Sequence, residues 1–342
     1  MKVSVIIPTY NREELLCETI NSVLSQSFTD LEIIVIDDGS TDNTETRISQ
    51  FGNRIRYLKQ DNRGVNAARN RAMSLSEGEY IALLDDDDLW KRNKLELEVD
   101  ILDRFHDIAY VYSNFSIYKS SQDIETNGIQ TWYKTPKNWD SVFSVSHTIA
   151  DIGCTHIKDV GDSTRLFFGD IYKASMMDHF VLPSTALIRK SAVPPSLHFN
   201  EHDSICGDWE YFARLSKNNQ ICFIDYDTTF NRSHEDSVRL TRTSNKLQLG
   251  FRIDMLERLY LKDREFYQTH RSSADEIYRE RLMSLCILHL LDSETSQARG
   301  CMARYHNLKK IHDIPYHILR CACYVPGIGG ILRSLRSLKR SL

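Results

Sequence analysis

The sequence predicts an α/β fold: a mostly parallel sheet flanked by helices, with a helical C-terminal extension. Short β-branched runs, such as residues 3–7 and 33–36, alternate with stretches whose apolar residues recur at helical spacing. This alternation is typical of parallel strands joined by crossover helices. After about Asn245 the pattern becomes helical throughout, with predicted helices over residues 247–260 and 274–291.

The length and composition indicate an ordinary globular protein of two parts. Hydrophobic residues make up 41% and charged residues 26% of the 342-residue chain. We expect a ligand-binding domain over residues 1–240 and a helical region over 245–342. Residues 120–180 are polar and lack clear periodicity, so we interpret them as an insertion beside the active site. A plain surface excursion is the alternative for this stretch.

The first predicted elements can be placed individually. The strand at residues 3–7 is expected to close at Pro8, and Asn11 to cap the next helix with Glu14 in the capping-box position. Leu16 and Ile20 lie on the buried face of that helix. Further strands are predicted at 33–36, 55–58, 80–84, 108–112, 182–189 and 221–224, and further helices begin near residues 43, 64, 93 and 207.

Two of the predicted strands end in acidic clusters, Asp37-Asp38 and the four consecutive carboxylates of residues 85–88. In an open parallel sheet, ligands bind just beyond the carboxyl ends of the strands, and both clusters would open onto the same edge. Crowded carboxylates raise one another's pKa unless a positive charge neutralises them. A hard cation with oxygen ligands, such as Mg²⁺ or Mn²⁺, suits this role. The alternative is a solvated acidic turn that precedes the next helix.

Composition excludes several classes of function. A net charge of −4 argues against a general nucleic-acid binder. The eight cysteines are scattered without C-x-x-C spacing, which argues against a zinc site and suits a reducing compartment. There is no signal-peptide pattern and no apolar run of the ~18 residues that span a bilayer. We therefore expect a cytoplasmic protein, soluble or peripheral on the inner face of the cell membrane.

The C-terminal end is basic and amphipathic. No acidic residue occurs after Ile314, and residues 331, 335, 338 and 342 place apolar side chains on one helical face. Such a helix can lie on an anionic membrane surface. The alternative is a helix packed on the protein with a charged outer face.

Four motifs carry a resemblance to a known family. They are V-S-V-I-I-P-T-Y-N-R at residues 3–12, I-D-D-G-S-T-D at 36–42, Ala68-Arg69-Asn70, and L-D-D-D-D at 84–88. In this order and spacing they resemble glycosyltransferase family 2, the inverting nucleotide-sugar transferases with the Rossmann-like GT-A fold. The resemblance is strong over the first third of the chain and extends weakly to about residue 240.

The resemblance implies roles for individual residues. Pro8, Tyr10 and Asp38 would hold the nucleobase, Tyr10 by stacking. Asp85 and Asp87 would form the D-x-D pair, with Asp87 the firmest metal ligand. The full set of expected site residues is Pro8, Tyr10, Asn11, Asp38, Arg69, Asp85 and Asp86 at the nucleotide, Asp87 and His234 at the metal, and Asp208 as catalytic base.

Some of these roles also follow from chemistry alone, and each has a structural alternative. Asp85 or Asp86 can accept hydrogen bonds from a ribose diol. Arg69 lies where a cation could meet phosphate, or it pairs only with nearby acids. Asp208 could deprotonate an acceptor hydroxyl, or simply stabilise a helix N-terminus. His234 could be a second metal ligand or a phosphate contact, although an isolated histidine is more often neither.

One departure from the family pattern affects the base. The family usually has Glu-Asp-Trp where this chain has Gly207-Asp208-Trp209, so the acidic neighbour of the expected base is missing. Further along, Arg232-x-His234 resembles the late Arg/His element of the family, which approaches the diphosphate.

The predicted function is a metal-dependent inverting glycosyltransferase using Mg²⁺ or Mn²⁺. It would transfer a sugar from a nucleotide-sugar, by default a UDP-sugar, to a hydroxyl of a glycan or lipid-linked acceptor in cell-surface polysaccharide synthesis. A non-catalytic nucleotide-sugar-binding or scaffold protein is the alternative.

Other classes of protein do not match the motifs. An EF-hand-like calcium loop starting at Asp85 is excluded because Leu89 and Trp90 would occupy its fifth and sixth positions. A Rossmann dehydrogenase is excluded because no G-x-G-x-x-G follows the first strand. A sugar nucleotidyltransferase is excluded because its Gly-rich N-terminal loop is missing.

Overall fold

The computed structural model divides the chain into two compact units, Met1–Val238 and Arg239–Leu342. The residues that the structure describes are 1–120, 122–132, 138–203, 205–232, 245–308, 314–325 and 327–329.

A single mixed sheet forms the centre of the first unit. Its described strands run in the order β3-β2-β1-β4-β10-β6-β11-β9-β8, with β5 paired to β11 and β7 to β6. The four strands β3, β2, β1 and β4 are parallel, and β10 is antiparallel to both β4 and β6. The predicted α/β fold with a mostly parallel core is confirmed. The strands are β1 (Val3–Thr9), β2 (Leu31–Asp37), β3 (Arg56–Lys59), β4 (Tyr80–Leu83), β5 (Leu89–Trp90), β6 (Ile108–Ser120), β7 (Asp123–Glu125), β8 (Val145–Thr148), β9 (Arg165–Gly169), β10 (Ala186–Arg189) and β11 (Gln220–Arg232).

Helices cover both faces of this sheet. The described helices of the unit are α1 (Glu13–Leu24), α2 (Thr44–Ile48), α3 (Val65–Leu75), α4 (Lys94–Arg104), α5 (Gly128–Trp132), α6 (Trp139–Val142) and α7 (Gly207–Ser216). In β1, Val5 and Ile7 belong to one hydrophobic core together with side chains of α1 and α4, whereas Ile6 belongs to a second core together with α3 and α7. This alternation is the period of two expected of a strand that is buried on both faces.

Several element boundaries differ from the predicted ones. β1 continues through Pro8 to Thr9, since it pairs in parallel with β2 as far as Asp37. β6 and β11 are 13 residues each, because they pair with each other along most of their length, with bulges. The strand predicted from residue 182 begins at Ala186, after a 3₁₀ turn. Within residues 120–180, β7, β8 and β9 join the sheet.

The prediction that Asn11 caps α1 is wrong. The helix begins at Glu13, and Asn11 has a left-handed backbone with a φ of 52°. Its side-chain oxygen accepts from the backbone N–H of Thr41 at 2.8 Å, and its own N–H donates to Ser40 Oγ at 2.9 Å. Asn11 therefore joins the loop after β1 to the loop after β2, a long-range contact that outweighs a local cap.

The second unit is helical in its described part, as predicted. It contains α8 (Asn245–Leu256) with a π-helical turn at Glu257–Leu261, α9 (Arg264–Leu291), α10 (Thr295–His306) and α11 (Ile314–Ala322). Among the described residues, no helix combines the length and the hydropathy needed to cross a bilayer. The basic segment over residues 330–342 lies outside the described residues.

Candidate active site

The two acidic strand ends lie on either side of the end of β1. Asp38 N–H donates to the carbonyl of Thr9 at 2.8 Å, and Thr9 Oγ1 donates to Asp86 Oδ2 at 2.7 Å. This follows from the strand order, because β1 lies between β2 and β4. Asp38 and the acidic turn, which we define as residues 85–88, are thus brought together at one edge of the sheet.

Asp38 is held by donors from the loop that leads into α3. Its carboxylate accepts from Gln60 Nε2 at 2.7 Å, from Arg63 N–H at 2.9 Å and from Gly64 N–H at 2.7 Å. Only 3% of Asp38 is exposed. A carboxylate has about four acceptor sites, so three fixed donors leave about one for a ligand N–H.

Two arginines contact the acidic turn. Arg69 of α3 donates from Nη2 to Asp85 Oδ1 at 2.6 Å, and its guanidinium lies 5.4 Å from the centre of the Phe199 ring. Arg12 Nη1 lies 3.8 Å from Asp87 Oδ2. The pairing of Arg69 with an acid is therefore observed, and it keeps a positive charge at the sheet edge.

The other two acids of the turn, Asp86 and Asp88, have raised pKa values. Loss of hydration and, after it, the nearby Asp87 carboxylate raise the pKa of Asp86 to about 7. Asp88 is fully buried and accepts from Asn231 Nδ2 at 3.0 Å. Burial and its acidic neighbours raise the pKa of Asp88 well above its usual value. Thr19 of α1 fixes the turn by donating to the carbonyls of Asp86 and Asp88.

The donor set of the turn suits a hard cation. All its side-chain ligands are carboxylate oxygens, and the neighbouring carboxylates contribute, after burial, to the raised pKa values of Asp86 and Asp88. Within the described part of the chain, no acid of the turn belongs to a group of three ligand atoms within 4.8 Å of one another. A site with one or two carboxylates, completed by phosphate and water, is the usual arrangement for Mg²⁺.

Asp208 lies in the first turn of α7 with 22% of its side chain exposed. Its Oδ1 accepts from Trp209 N–H at 2.7 Å, and its Oδ2 lies 3.9 Å from His179 Nε2. The His179 ring is stacked on Trp209 with a centroid distance of 5.8 Å. His179 was missed at the sequence level, because it lies in the irregular stretch and belongs to no motif.

The other predicted site residues occupy different positions. Pro8 is buried within β1 opposite Ile36, whereas Tyr10 is 46% exposed just beyond the strand. His234 lies outside the described residues. Arg232, two residues before it in sequence, is buried and donates to Glu18 Oε2.

Another cluster that could hold a metal ion, in the described part of the chain, consists of Asp100, Cys154 and His156. Their ligand atoms lie within 4.8 Å of one another. Arg104 already donates to Asp100 at 2.7 Å, so a cation would have to compete with a guanidinium. Burial and the hydrogen bond to Asp100 raise the pKa of the Cys154 thiol to about 12, which keeps it protonated. The acidic turn is therefore better suited to a hard cation than this cluster.

Comparison with known proteins shows similarity to glycosyltransferases. Residues 4–154 match the model of Glycosyl transferase family 2. The chain is 37% identical over 121 residues to the UDP-Glc:alpha-D-GlcNAc-diphosphoundecaprenol beta-1,3-glucosyltransferase WfgD of Escherichia coli, covering 35% of this chain and 47% of that protein. It is 37% identical over 134 residues to the glycosyltransferase GlyG of Streptococcus pneumoniae serotype 4, covering 35% of this chain and 44% of that one. The chain thus spans less than half the length of these two curated relatives.

Solved structures show the fold over a longer range. The crystal structure of S. aureus TarS 1-349 in complex with UDP-GlcNAc matches 98% of this chain and 92% of that chain, with a TM-score of 0.59 and 17% identity. The TarS 1-349 complex with UDP gives a TM-score of 0.54, also at 17% identity. The chain is thus similar to glycosyltransferase family 2 over residues 4–154, and its fold is GT-A.

Proposed function

We propose that the protein is a metal-dependent inverting glycosyltransferase, with its catalytic domain over residues 1–240. It transfers a sugar from a nucleotide-sugar to a hydroxyl of a glycan or lipid-linked acceptor. The observation that carries this proposal is the convergence of Asp38 and the acidic turn on Thr9, at the end of β1. One strand end thereby offers both a nucleobase acceptor and a set of oxygen ligands for a metal.

The donor is a UDP-sugar in this proposal. Tyr10 is exposed enough to stack on the base, and Pro8 and Asn11 lie within two residues of it in sequence. Asp38 keeps about one acceptor site for a base N–H. The names of two similar proteins support this choice of nucleotide: WfgD is a UDP-Glc transferase, and TarS was crystallised with UDP-GlcNAc. The ribose diol would then reach Asp85 or Asp86.

Asp85 and Asp87 would hold the divalent cation, with His234 as a further ligand. When bound, Mg²⁺ or Mn²⁺ would neutralise the charge that develops on the departing diphosphate. Arg69 and Arg12 stand beside these acids and add positive charge for the phosphates.

Asp208 acts as the general base. The acceptor oxygen attacks the anomeric carbon from the face opposite the diphosphate, its proton passes to the Asp208 carboxylate, and the bond from carbon to phosphate oxygen breaks. The nucleoside diphosphate leaves with that electron pair, and the configuration is inverted. His179, 3.9 Å from Asp208 Oδ2, helps to hold the carboxylate.

The decisive experiment compares Asp208→Asn with Glu210→Gln. Both acids lie in the first turn of α7, so a loss of helix-dipole stabilisation would affect the two variants alike. With a panel of nucleotide-sugars and Mn²⁺, we expect Asp208→Asn to reduce transfer about 10²- to 10⁴-fold, the range of general-base catalysis. UDP affinity, measured by calorimetry, should remain within about threefold of wild type, and Glu210→Gln should retain transfer.

Three outcomes would contradict this proposal. Normal transfer by Asp208→Asn would remove Asp208 from the base role. Equal losses in Asp208→Asn and Glu210→Gln would indicate a structural role for Asp208. A wild-type protein that binds UDP yet transfers no sugar from the panel to any offered acceptor would favour the non-catalytic alternative.

The acceptor is proposed to be lipid-linked, with the basic C-terminal segment bringing the enzyme to an anionic membrane surface on the cytoplasmic side. The name of WfgD, which describes an undecaprenol-linked acceptor, supports this class of acceptor. Removal of residues 330–342 should abolish flotation with vesicles containing anionic lipid. Unchanged flotation of the truncated protein would refute the membrane role.

A further inference from the structure

Asn66 occupies the space beside Gly207 in which another side chain would otherwise lie. A Cβ atom added to Gly207 would lie 2.1 Å from Asn66 Nδ2, 2.9 Å from its Cγ and 3.1 Å from its Oδ1. The φ of Gly207 is not in the left-handed region, so glycine is required here for space alone. The missing acidic neighbour of Asp208 thus has a physical reason: with Asn66 in place, a larger residue at 207 does not fit.

The same amide fastens the segment that precedes α7. Asn66 is 4% exposed and lies in the first turn of α3. Its Nδ2 donates to the carbonyl of Asn200 at 2.9 Å and to the carbonyl of Asp203 at 2.7 Å, which uses both amide hydrogens. The carboxylate of Asp203 in turn accepts from Cys206 N–H at 2.7 Å, which closes the loop onto the start of α7.

This arrangement connects the proposed base to the acidic turn through one helix. Arg69, one turn after Asn66, holds Asp85 at 2.6 Å and lies 3.4 Å from Asn66 Oδ1. Asp208 directly follows Gly207, the residue against which Asn66 packs. A shift of α3 would therefore change both the Arg69–Asp85 ion pair and the contacts at the start of α7.

We propose that Asn66 is a positioning residue for Asp208, acting through Gly207 and through the loop residues Asn200, Asp203 and Cys206. This inference rests on the proposed function, because it assumes that Asp208 is the base. Asn66 itself touches no reacting atom. It fixes where α7 begins, and hence where the Asp208 carboxylate lies relative to Asp85.

The test compares Asn66→Ala with a matched control, Asn70→Ala. Asn70 lies one turn further along α3 and holds the same loop. Its Nδ2 donates to the carbonyl of Phe199 at 2.9 Å, and its Oδ1 accepts from the N–H of Phe199 at 2.8 Å. None of its atoms is among the three nearest to a Cβ added at Gly207. Because a misplacement of about 1 Å can cost about 10²-fold in rate, we expect Asn66→Ala to lower kcat by about 10- to 100-fold. Its UDP affinity should stay within about threefold of wild type. Asn70→Ala should change kcat by less than about threefold, even if its Tm falls as far as the Tm of Asn66→Ala.

A second measurement does not depend on activity. Amide hydrogen exchange of residues 205–209 should accelerate in Asn66→Ala and remain near wild type in Asn70→Ala. In addition, Gly207→Ala should lower the Tm in the wild-type background by several degrees, and by clearly less in the Asn66→Ala background, where the three crowding atoms are gone.

The outcomes separate this inference from the proposed function. Unchanged exchange at residues 205–209, an equal Tm loss from Gly207→Ala in both backgrounds, or an equal kcat loss in Asn66→Ala and Asn70→Ala would each overturn the positioning role. If the wild type catalyses no transfer, the proposed function fails, while the exchange and Tm measurements still decide whether Asn66 sets the start of α7.

Discussion

Replacing Lys94 by Met should destabilise the first unit by about 3–5 kcal/mol, the usual cost of leaving one member of a buried ion pair without its partner. Lys94 and Glu98 lie one turn apart on α4, and both are fully buried. Lys94 Nζ donates to the Glu98 carboxylate and also lies 4.6 Å from the centre of the Trp90 ring. Met is close to Lys in size, so the loss would come from the uncompensated charge rather than from a cavity.

The pH dependence of this variant gives a second check. Burial raises the pKa of Glu98 from 4.5 to about 7, and the Lys94 ammonium opposes that rise. A carboxyl with a raised folded-state pKa contributes stability below its unfolded pKa and loses it as the pH rises through the folded pKa. Without the ammonium the pKa of Glu98 rises further. The loss of unfolding free energy in Lys94→Met should therefore be larger at pH 8 than at pH 5.

Urea unfolding followed by tryptophan fluorescence reports on this unit, since all four tryptophans lie in it, at positions 90, 132, 139 and 209. Lys119→Met is the matched control, because Lys119 is half exposed and lies 3.7 Å from an equally exposed Asp123. That surface pair should contribute at most about 1 kcal/mol. The double variant Lys94→Met/Glu98→Leu should recover most of the loss. A deficit below about 1 kcal/mol for Lys94→Met, or one independent of pH, would refute the reasoning.

Three further predictions concern the proposed site and its support. Tyr10→Ala should leave the Tm unchanged and weaken UDP binding about 10- to 100-fold in calorimetry, as expected for loss of stacking on a base; unchanged affinity would exclude the stacking role. Asp87→Asn should remove the increase in UDP affinity that Mn²⁺ gives the wild type, and a variant that still responds to Mn²⁺ would exclude Asp87 as a ligand. Trp90→Phe loses the 2.7 Å hydrogen bond from its indole to the carbonyl of Ser184 and should cost about 1–3 kcal/mol in urea unfolding followed by circular dichroism. A cost below about 0.5 kcal/mol would mean that this bond is not needed.

The parts of the fold that could be predicted are those with local signals. β1 and β2 are β-branched runs buried on both faces, and the helix after β1 shows its apolar stripe, so both the order and the type of these elements are readable. Because parallel strands share one edge, the meeting of Asp38 with the acidic turn also follows from the pattern.

The parts that could not be predicted depend on contacts far apart in sequence. Asn11 looks like a helix cap, yet its partners Ser40 and Thr41 belong to the next loop. The four acids of the turn look equivalent, but their neighbours come from different elements: Arg69 of α3, Thr9 of β1, Arg12 before α1 and Asn231 of β11. The exclusion of a side chain at residue 207 by Asn66 has no local signal at all.

The most direct test of the central claim is a crystal structure of the full chain with UDP and Mn²⁺. We predict that the base stacks on Tyr10 and donates to Asp38, and that Asp87 holds the cation at the diphosphate. A nucleotide bound away from the end of β1, or a diphosphate far from the acidic turn, would contradict the account.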